Sequence, residues 1–393
     1  MHISELETPA VIVDLDVMER NLSRMADYCR AHQLLLRPHT KSHKIPELAQ
    51  RQIASGAMGI TVAKLGEAEV MLKAGITDIL IAYPIVGDEK TTRLARIAEQ
   101  ARLSVALDSE VAARGISAAA TRQGSTIGVL VEMDVGFRRC GLGNENDLLA
   151  LAKVITELPG LEFKGLMFFP GHFTVGPEQR AVLRAQVNDF LARSLETFAH
   201  AGLPLAIVSG GSTPTAYESS LFHGVNEVRP GMYIFNDRTT AGIQAAALND
   251  CALSVLVTVV STAVQGHAIV DGGSKTFSSD RYQAEDGVGF GLVKEDHAAI
   301  VERLSEEHGI LNVAHSERRY RVGDRLSIIP NHVCTTVNMH DEIYGVRDGQ
   351  VETAWRERRN MVPILMHALR ARATMGELHE AMRRAHGWRG SER

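Results

Sequence analysis

Basic and titratable side chains are concentrated in the octapeptide RPHTKSHK, residues 37 to 44. If this stretch ends a β-strand, Arg37, His39 and Lys41 lie on one face, because successive side chains of a strand alternate. A lysine held away from water beside other cations has a lowered pKa and becomes an amine nucleophile of the kind that forms Schiff bases. The alternative is a solvated basic strand end that binds nothing, and the octapeptide alone leaves both interpretations open.

Two later stretches have the residue types of a phosphate site. SGGSTPT, residues 209 to 215, ends a predicted strand, and RPGMY, residues 229 to 233, lies in the next one. Glycine-flanked Ser and Thr at neighbouring strand ends can offer backbone N–H groups and hydroxyls to an anion. A phosphate anchor on one side of a site and an amine on the other is what pyridoxal phosphate (PLP) requires. Each stretch is a weak signal alone, and together with Lys41 they predict that cofactor.

A third candidate site is the His-x-Cys pair in PNHVCTTVNMHDE. Because His332 and Cys334 are two residues apart, we predict that they project from the same face of a strand. Imidazole and thiolate groups suit Zn²⁺, and two protein ligands leave positions open for water or substrate. The alternative is a buried cysteine beside a histidine that caps a turn, since such a pair alone is mostly a chance pattern.

These residues need a scaffold that gathers strand ends, and the chain from residue 34 onward has the pattern of one. Short β-rich runs alternate with amphipathic segments of helical spacing, which predicts βα units around a parallel sheet. The predicted strands are residues 34–39, 58–63, 78–84, 103–109, 127–136, 164–171, 205–211 and 227–235. Eight such units favour a (β/α)8 TIM-type barrel, although an open doubly wound sheet has the same local pattern. In a barrel, the carboxyl ends of the strands build the active site.

After about residue 240 the chain changes to β-branched runs separated by Gly and Asp turns, which predicts a mainly antiparallel β domain. AVIVDLD precedes the first barrel strand, and we assign it to this second domain. We therefore predict a PLP-binding barrel at 15–240, a β domain at 1–14 and 241–357 that carries the metal site, and a helical C-terminal tail at 358–393.

The composition bounds the class of protein. The chain has 393 residues, 45% of them hydrophobic and 23% charged, with a net charge of -5. This balance shows no electrostatic footprint for nucleic acid, and no run approaches the roughly 18 apolar residues of a membrane span. Four scattered cysteines without a CxxC pair argue for a reducing compartment. We expect a cytoplasmic protein with small-molecule partners, no nucleic acid and no membrane contact.

Over most of its length, to about residue 357, the chain resembles the fold-type III PLP enzymes of the D-threonine aldolase and D-serine dehydratase family, relatives of alanine racemase. The matching stretches, in the family's order, are ETPAVIVDLD, LRPHTKSHK, VEMDVGFRRCG, SGGST, RPGMYIFND, VDGGSKT and PNHVCTTVNMHD. The resemblance implies that PLP forms a Schiff base with Lys41, that His39 lies close by, and that Arg139 lies near the pyridine ring. It further implies a phosphate site and a divalent-metal site, whose residues are Ser212, Thr213, Gly231 and Tyr233 for the phosphate and His332 and Cys334 for the metal. A homodimer is usual for such folds.

The resemblance implies a lyase that cleaves D-3-hydroxy amino acids by a retro-aldol reaction to glycine and an aldehyde. The alternative is a D-serine or D-3-hydroxyaspartate dehydratase. NMHD after the His-x-Cys pair and RCG after DVG favour the aldolases. Cys334 favours the dehydratases, because aldolases commonly carry Asp at this position and a thiolate prefers Zn²⁺ to Mn²⁺ or Mg²⁺. An amino-acid racemase and a non-catalytic PLP-homeostasis protein are weaker alternatives.

The stretch FFPGHF, residues 168 to 173, departs from the aldolase pattern. Aldolases have a Tyr-His-Gly turn here with a second His a few residues on, whereas this chain has Phe169 and Pro170, and Val175 in the second His position. His172 is the remaining candidate for the general base, because the ordinary pKa of histidine suits proton transfer. The alternative is a histidine that caps the following helix.

Overall fold

The structure is a computed structural model that describes residues 1–284 and 287–356. The helical tail predicted at 358–393 lies outside the described residues. Strands β1 to β19 are, in chain order, Ala10–Asp14, Leu35–Leu36, Ile60–Val62, Asp78–Ile81, Arg102–Leu107, Ile127–Met133, Leu161–Phe168, Ile207–Gly210, Glu227–Val228, Leu253–Ser261, His267–Val270, Tyr282–Ala284, Gly287–Gly289, Gly291–Val293, Ile300–Leu304, Gly309–Asn312, Arg325–Pro330, Glu342–Arg347 and Gln350–Arg356. Helices α1 to α10 are Leu15–Ala31, Pro46–Ala54, Leu65–Lys73, Asp88–Ala98, Glu110–Gln123, Glu145–Glu157, Pro177–His200, Arg238–Gly242, Ser274–Phe277 and Val333–Met339. Within these residues no helix has the length and apolar character needed to cross a bilayer.

Strands β2 to β9 form a parallel eight-stranded sheet in the order β2-β9-β8-β7-β6-β5-β4-β3. Helices α2 to α7 lie between consecutive strands from β2 to β8. The two ends of this order also touch, because the Thr61 N–H donates to the Pro38 carbonyl at 2.8 Å and His39 forms a bridge with Thr61. The arrangement is therefore TIM-like, and each of the predicted barrel strands is found in its predicted order.

The first and last barrel strands are shorter than predicted. β2 ends at Leu36 and β9 at Val228, just before Pro38 and Pro230, which have no N–H for the strand ladder. The chain then turns into short 3-10 helices, one of which spans Thr40–Ser42. Lys41 therefore lies on a helical turn, and the predicted strand alternation of Arg37, His39 and Lys41 is wrong for the lysine.

The second sheet is mainly antiparallel, as predicted. Six strands close on themselves in the order β11-β16-β15-β14-β17-β10, because β10 also pairs with β11. β1 pairs antiparallel with β10 and parallel with β18. The N-terminal strand thus belongs to this sheet.

Two apolar clusters hold these sheets in place. One packs strands β3 to β8 against their helices around fully buried side chains such as Ile79. The other runs from the barrel into the antiparallel sheet and includes Leu36, Val255 and Val333. Because this second core is continuous, α10 contacts the 3-10 helix Thr40–Ser42 at the end of the barrel.

A buried ion-pair network lies in the barrel interior. Arg37, which is 6% exposed, donates from Nε to Glu227 Oε2 at 2.7 Å and from Nη1 to Asp78 Oδ1 at 2.5 Å. Glu227 is fully buried and also accepts from the Ser209 hydroxyl at 2.5 Å. Arg37, predicted to face the barrel interior, does so as a structural ion pair.

Arg37→Met should lower the free energy of unfolding by about 3 to 5 kcal/mol, because it leaves the Glu227 carboxylate buried without its cation. Arg102→Met is the matched control, since Arg102 pairs with the same Asp78 but its side chain is 79% exposed; it should cost less than about 1 kcal/mol. Urea unfolding followed by circular dichroism measures both variants. Equal losses in the two variants would contradict the prediction.

Candidate active site

A cavity of about 1040 Å³ lies at the carboxyl ends of the barrel strands, and residues of α10 form part of its wall. The predicted site residues that line it are His39, Lys41, Arg139, Ser212, Thr213, Gly231, His332 and Cys334. Tyr233 and His172 are not in its lining. Residues far apart in the chain are therefore brought together here.

Lys41 presents its amine to this cavity from the 3-10 helix. Its Nζ atom lies 5.4 Å from the centre of the Phe169 ring. Burial lowers the pKa of the Lys41 amine; the Cys334 thiol opposes this shift, and the cations Arg139 and Arg229 add to it. The amine is thus neutral at lower pH than a free lysine, which is the property a Schiff-base lysine needs.

His39 precedes Lys41 and caps the turn that carries it. Its Nδ1 atom accepts a hydrogen bond from the Lys41 N–H at 3.4 Å. Burial lowers the pKa of the His39 imidazole well below its ordinary value, and the neighbouring cations Lys41, Arg229 and Arg139 lower it further. His39 is therefore a neutral ring that orients the lysine turn.

One end of the cavity has the groups of an anion site. The Thr213 hydroxyl accepts from the N–H groups of Gly231 at 3.3 Å and Met232 at 3.0 Å. A side chain at Gly231 would lie 2.9 Å from the His39 carbonyl oxygen and from Ser42 Oγ, so only glycine fits. Ser42 Oγ is buried and has no hydrogen-bond partner within the described part of the chain. An orphaned hydroxyl beside Thr213 and a glycine turn fits the phosphate of PLP.

Arg139 lines the cavity and lies over aromatic rings. Its guanidinium carbon is 4.6 Å from the centre of the Phe169 ring, and its Nη2 atom is 3.9 Å from Glu132 Oε1. Burial raises the pKa of the Glu132 carboxyl, against the lowering effect of Arg139 and Arg229. The arginine predicted for the pyridine ring is therefore at the cavity, held between an aromatic face and a carboxylate.

Arg229 is a residue of the candidate site that was not predicted from the sequence. Arg229 lines the cavity, and it donates to the Ser209 hydroxyl and to the Phe168 carbonyl, the latter at 2.7 Å. Burial lowers the pKa of its guanidinium to about 10, in spite of Glu227 and Glu132. The signal available in the sequence is its position at the start of RPGMY. Only Gly231 and Tyr233 of that stretch were predicted to bind the phosphate.

The predicted strand under the His-x-Cys pair is wrong. β17 ends at Pro330, His332 is the N-cap of α10, and Cys334 lies in its first turn. The hydroxyls of Thr335 and Thr336 both donate to the His332 carbonyl at 3.0 Å. β-branched residues suggested a strand, but Val333 and Val337 are buried at helical i, i+4 spacing, and this packing decides the conformation.

His332 and Cys334 nevertheless line the same cavity. Burial alone would lower the pKa of the His332 imidazole, but Asp237 and Cys334 outweigh it and raise that pKa. An imidazole beside a thiol is a donor set that suits Zn²⁺. In the part of the chain that the structure describes, no group of three or more His, Cys, Asp or Glu side chains could hold a metal ion, so this pair would leave coordination positions open.

His172 is not in the cavity lining, although Gly171 and Thr174 near it are, and its ring packs among aromatic rings. Its ring centre is 4.9 Å from that of Phe173 and 6.5 Å from that of Phe137. Its Nδ1 atom is buried without a hydrogen-bond partner in the described residues, and burial lowers the pKa of the imidazole. The alternative that it caps the next helix is wrong, because α7 has Gly176 at its N-cap and no side-chain cap.

The Tyr233 side chain is also committed elsewhere. It is 2% exposed, and its hydroxyl accepts a hydrogen bond from Gln52 Nε2 at 3.2 Å. Its phenol therefore binds Gln52 of α2, whereas Gly231 and Met232 of the same turn line the cavity.

Two family models match the chain. The model described as alanine racemase, N-terminal domain, covers residues 13–239, and the model described as putative serine dehydratase domain covers residues 252–346. The chain belongs to the alanine racemase-like family of fold-type III PLP enzymes. Within that family it groups with the D-threonine aldolases and the dehydratases of D-amino acids.

Relatives of both reaction types are similar to this fold-type III enzyme. D-threonine aldolase of Arthrobacter sp. is 32% identical over 90% of this chain and 92% of that protein. The solved structure of D-threonine aldolase from Filomicrobium marinum has a TM-score of 0.81 at 34% identity, over 90% of this chain and 96% of that one. The structure of D-threo-3-hydroxyaspartate dehydratase from Delftia sp. has a TM-score of 0.84 at 34% identity, over 91% and 98%.

Two variants of D-threo-3-hydroxyaspartate dehydratase also have TM-scores of 0.84. One carries alanine in place of a cysteine and is described as a metal-free form. The other carries alanine in place of a histidine two positions before that cysteine.

Proposed function

We propose that this protein is a PLP- and zinc-dependent lyase that dehydrates D-3-hydroxy amino acids, giving a 2-oxo acid and ammonia. One observation carries the proposal. The Lys41 amine and the His332–Cys334 pair line the same cavity, whereas His172, the predicted base of an aldolase, lies outside its lining. The residues needed for elimination are therefore together, and the residue expected for retro-aldol cleavage is apart from them.

The cofactors fit the donor sets described above. Lys41 would hold PLP, with its phosphate at Ser212, Thr213 and Gly231, and the His332–Cys334 pair would hold the metal. When bound, PLP withdraws electrons from the substrate α-carbon, and a divalent metal polarises the bond to the β-oxygen. The thiolate of Cys334 favours Zn²⁺, with Mn²⁺ and Mg²⁺ as weaker candidates.

The two reactions differ in the proton that the protein must remove. Elimination of the β-hydroxyl requires a base for the α-proton, and Lys41 suits this role because its pKa is lowered by burial. Arg139 and Arg229 supply the positive charge on the cavity wall that an anionic substrate and cofactor require.

Retro-aldol cleavage instead requires a base for the β-hydroxyl proton. The histidines in the described lining are His39, whose Nδ1 accepts the Lys41 N–H, and His332, one of the proposed metal ligands. Both rings are therefore engaged in other roles in this proposal. The geometry therefore supports the dehydratase, whereas the sequence alone favours the aldolase.

The dehydratase variants give independent support. The replaced histidine and cysteine in those structures are two positions apart, as are His332 and Cys334, and the cysteine variant is described as metal-free. The aldolase remains the second candidate, because two D-threonine aldolases are similar to this chain at 32% and 34% identity.

A product assay tests the proposal. The purified protein, supplied with PLP and Zn²⁺, is incubated with D-threo-3-hydroxyaspartate, D-threonine and D-serine. We expect ammonia and the corresponding 2-oxo acid. Glycine with an aldehyde would establish the aldolase instead, and recovery of the L-isomer would indicate a racemase.

His172→Gln is the second arm of that assay. We expect its turnover to stay within about threefold of wild type, because a residue outside the cavity transfers no proton to or from the substrate. A positioned general base contributes roughly 10²- to 10⁴-fold, so a loss of that size with unchanged PLP binding would restore His172 as the base.

A further inference from the structure

Asp237 is a fully buried carboxylate that contacts His332, one of the two proposed metal ligands. It is 0% exposed, and its Oδ2 atom lies 3.5 Å from His332 Nδ1. The same oxygen accepts the Val333 N–H at 3.2 Å, and Oδ1 accepts the Thr240 N–H at 2.8 Å. Asp237 therefore joins the start of α8 to the start of α10, at the residue between the two proposed metal ligands.

The contact engages one particular nitrogen of the His332 ring. A carboxylate beside Nδ1 favours the tautomer with the proton on Nδ1, which leaves the lone pair on Nε2. Asp237 also fixes the backbone that carries the ring, because it accepts the N–H of the next residue. Ring orientation and ring tautomer are thus set by the same buried group.

We propose that Asp237 is a positioning residue for the metal: it holds His332 so that Nε2, together with the Cys334 thiolate, can bind a divalent ion. The inference rests on the proposed function, since it presupposes a metal at this pair. Carboxylate partners of ligating histidines typically change metal affinity by about 10- to 100-fold. Asp237 should therefore act on affinity without touching the substrate or PLP.

The competing explanation is that Asp237 is only a helix cap. Asp237→Asn separates the two roles, because the Asn oxygen can still cap α8 at the Thr240 N–H, whereas the second carboxylate oxygen and the negative charge beside Nδ1 are lost. Asp14→Asn is the matched control. Asp14 caps α1 through the Val17 N–H at 3.0 Å, and it is not in the cavity lining.

The measurement is the dissociation constant for Zn²⁺, determined on the PLP-loaded wild type and both variants by competition with a chromogenic chelator. We expect an increase of about 10- to 100-fold for Asp237→Asn and no change for Asp14→Asn. The visible absorbance band of bound PLP should be the same in all three proteins.

The outcomes separate this inference from the function on which it rests. A wild type that binds no zinc overturns the zinc site of the proposed function. A wild type that binds zinc with an Asp237→Asn variant of equal affinity overturns only the role of Asp237.

If the Asn variant does not fold, ¹⁵N spectra of histidine-labelled, zinc-loaded wild type decide the matter, with the His332 signal assigned by its loss in His332→Gln. The inference requires a proton on Nδ1 of His332. A proton on Nε2 instead would overturn it.

Discussion

Lys41→Ala is expected to abolish turnover, with a loss of at least about 10³-fold, because the variant removes both the amine that attaches PLP and the proposed base for the α-proton. The variant should also lose the covalent link to the cofactor while keeping the phosphate site at Ser212 and Thr213. Borohydride reduction of the PLP-loaded protein, followed by peptide mapping, measures the link directly. The wild type should carry the label on Lys41, and the variant should carry none.

Lys64→Ala is the control for this experiment. Lys64 lines the same cavity, but its amine lies 3.5 Å above the centre of the Tyr83 ring, and the residue is exposed. Burial lowers the pKa of Lys41 from its ordinary value, so Lys41 supplies more neutral amine at neutral pH. We expect Lys64→Ala to keep the label and the visible PLP band. A label on Lys64 in the wild type would contradict the site.

The lowered pKa of Lys41 has a consequence for cofactor loading. Only the neutral amine attacks the aldehyde of PLP, so the loading rate rises with pH until Lys41 is deprotonated. Because the pKa of Lys41 is lowered, that rise should occur at lower pH than for an exposed lysine. Stopped-flow absorbance on the cofactor-free protein across pH 6 to 10 would measure it.

The barrel could be predicted from the sequence because its information is local. Each strand is a short β-rich run and each helix an amphipathic segment, so their alternation determines the class of fold. The ends of β2 and β9 could not be placed in this way. There the chain turns at Pro38 and Pro230, and the turns are held by contacts between Gly231 and the residues around His39.

Residues of the candidate site could be predicted where they lie in a recognisable sequence motif. They could not be predicted where a contact between residues distant in the chain positions them. Lys41, Ser212 and Thr213 lie in short stretches of recognisable composition. Arg229 is held at the cavity by a carbonyl 61 positions away, and Asp237 bonds to the N–H of Val333, 96 positions away. No spacing within either stretch encodes such a pairing.

Local sequence patterns mislead in two ways here: about the position of a side chain, as for His172, and about the secondary structure, as for the His332–Cys334 pair. His172 follows a barrel strand as a catalytic residue would, but its ring packs against those of Phe137 and Phe173 and is not in the cavity lining. The pair reaches the cavity through a helix turn although the β-branched sequence predicted a strand. In both cases apolar packing decides the outcome.

Cys334→Ala is expected to lose bound zinc and to reduce turnover by at least about 10²-fold, because a site with only His332 retains one protein ligand. The visible PLP band should be unchanged, since Lys41 and the phosphate site are not altered. Metal analysis after dialysis and the product assay measure the two effects. Cys140→Ala is the control, because Cys140 is a second thiol in the cavity lining; it should keep its zinc. Full activity after chelation of the wild type would contradict the metal role.

Cys334→Asp tests whether the metal ligand or the base selects the reaction. A carboxylate is a harder ligand than a thiolate, so the variant should lose much of its preference for Zn²⁺ over Mn²⁺ and Mg²⁺. If the position of the base decides which bond breaks, the variant loaded with Mn²⁺ should still form the 2-oxo acid, because Lys41 is unchanged and His172 still lies outside the cavity. Glycine and an aldehyde from this variant would show instead that the metal ligand selects the reaction. The product of Cys334→Asp therefore separates control by the base from control by the metal.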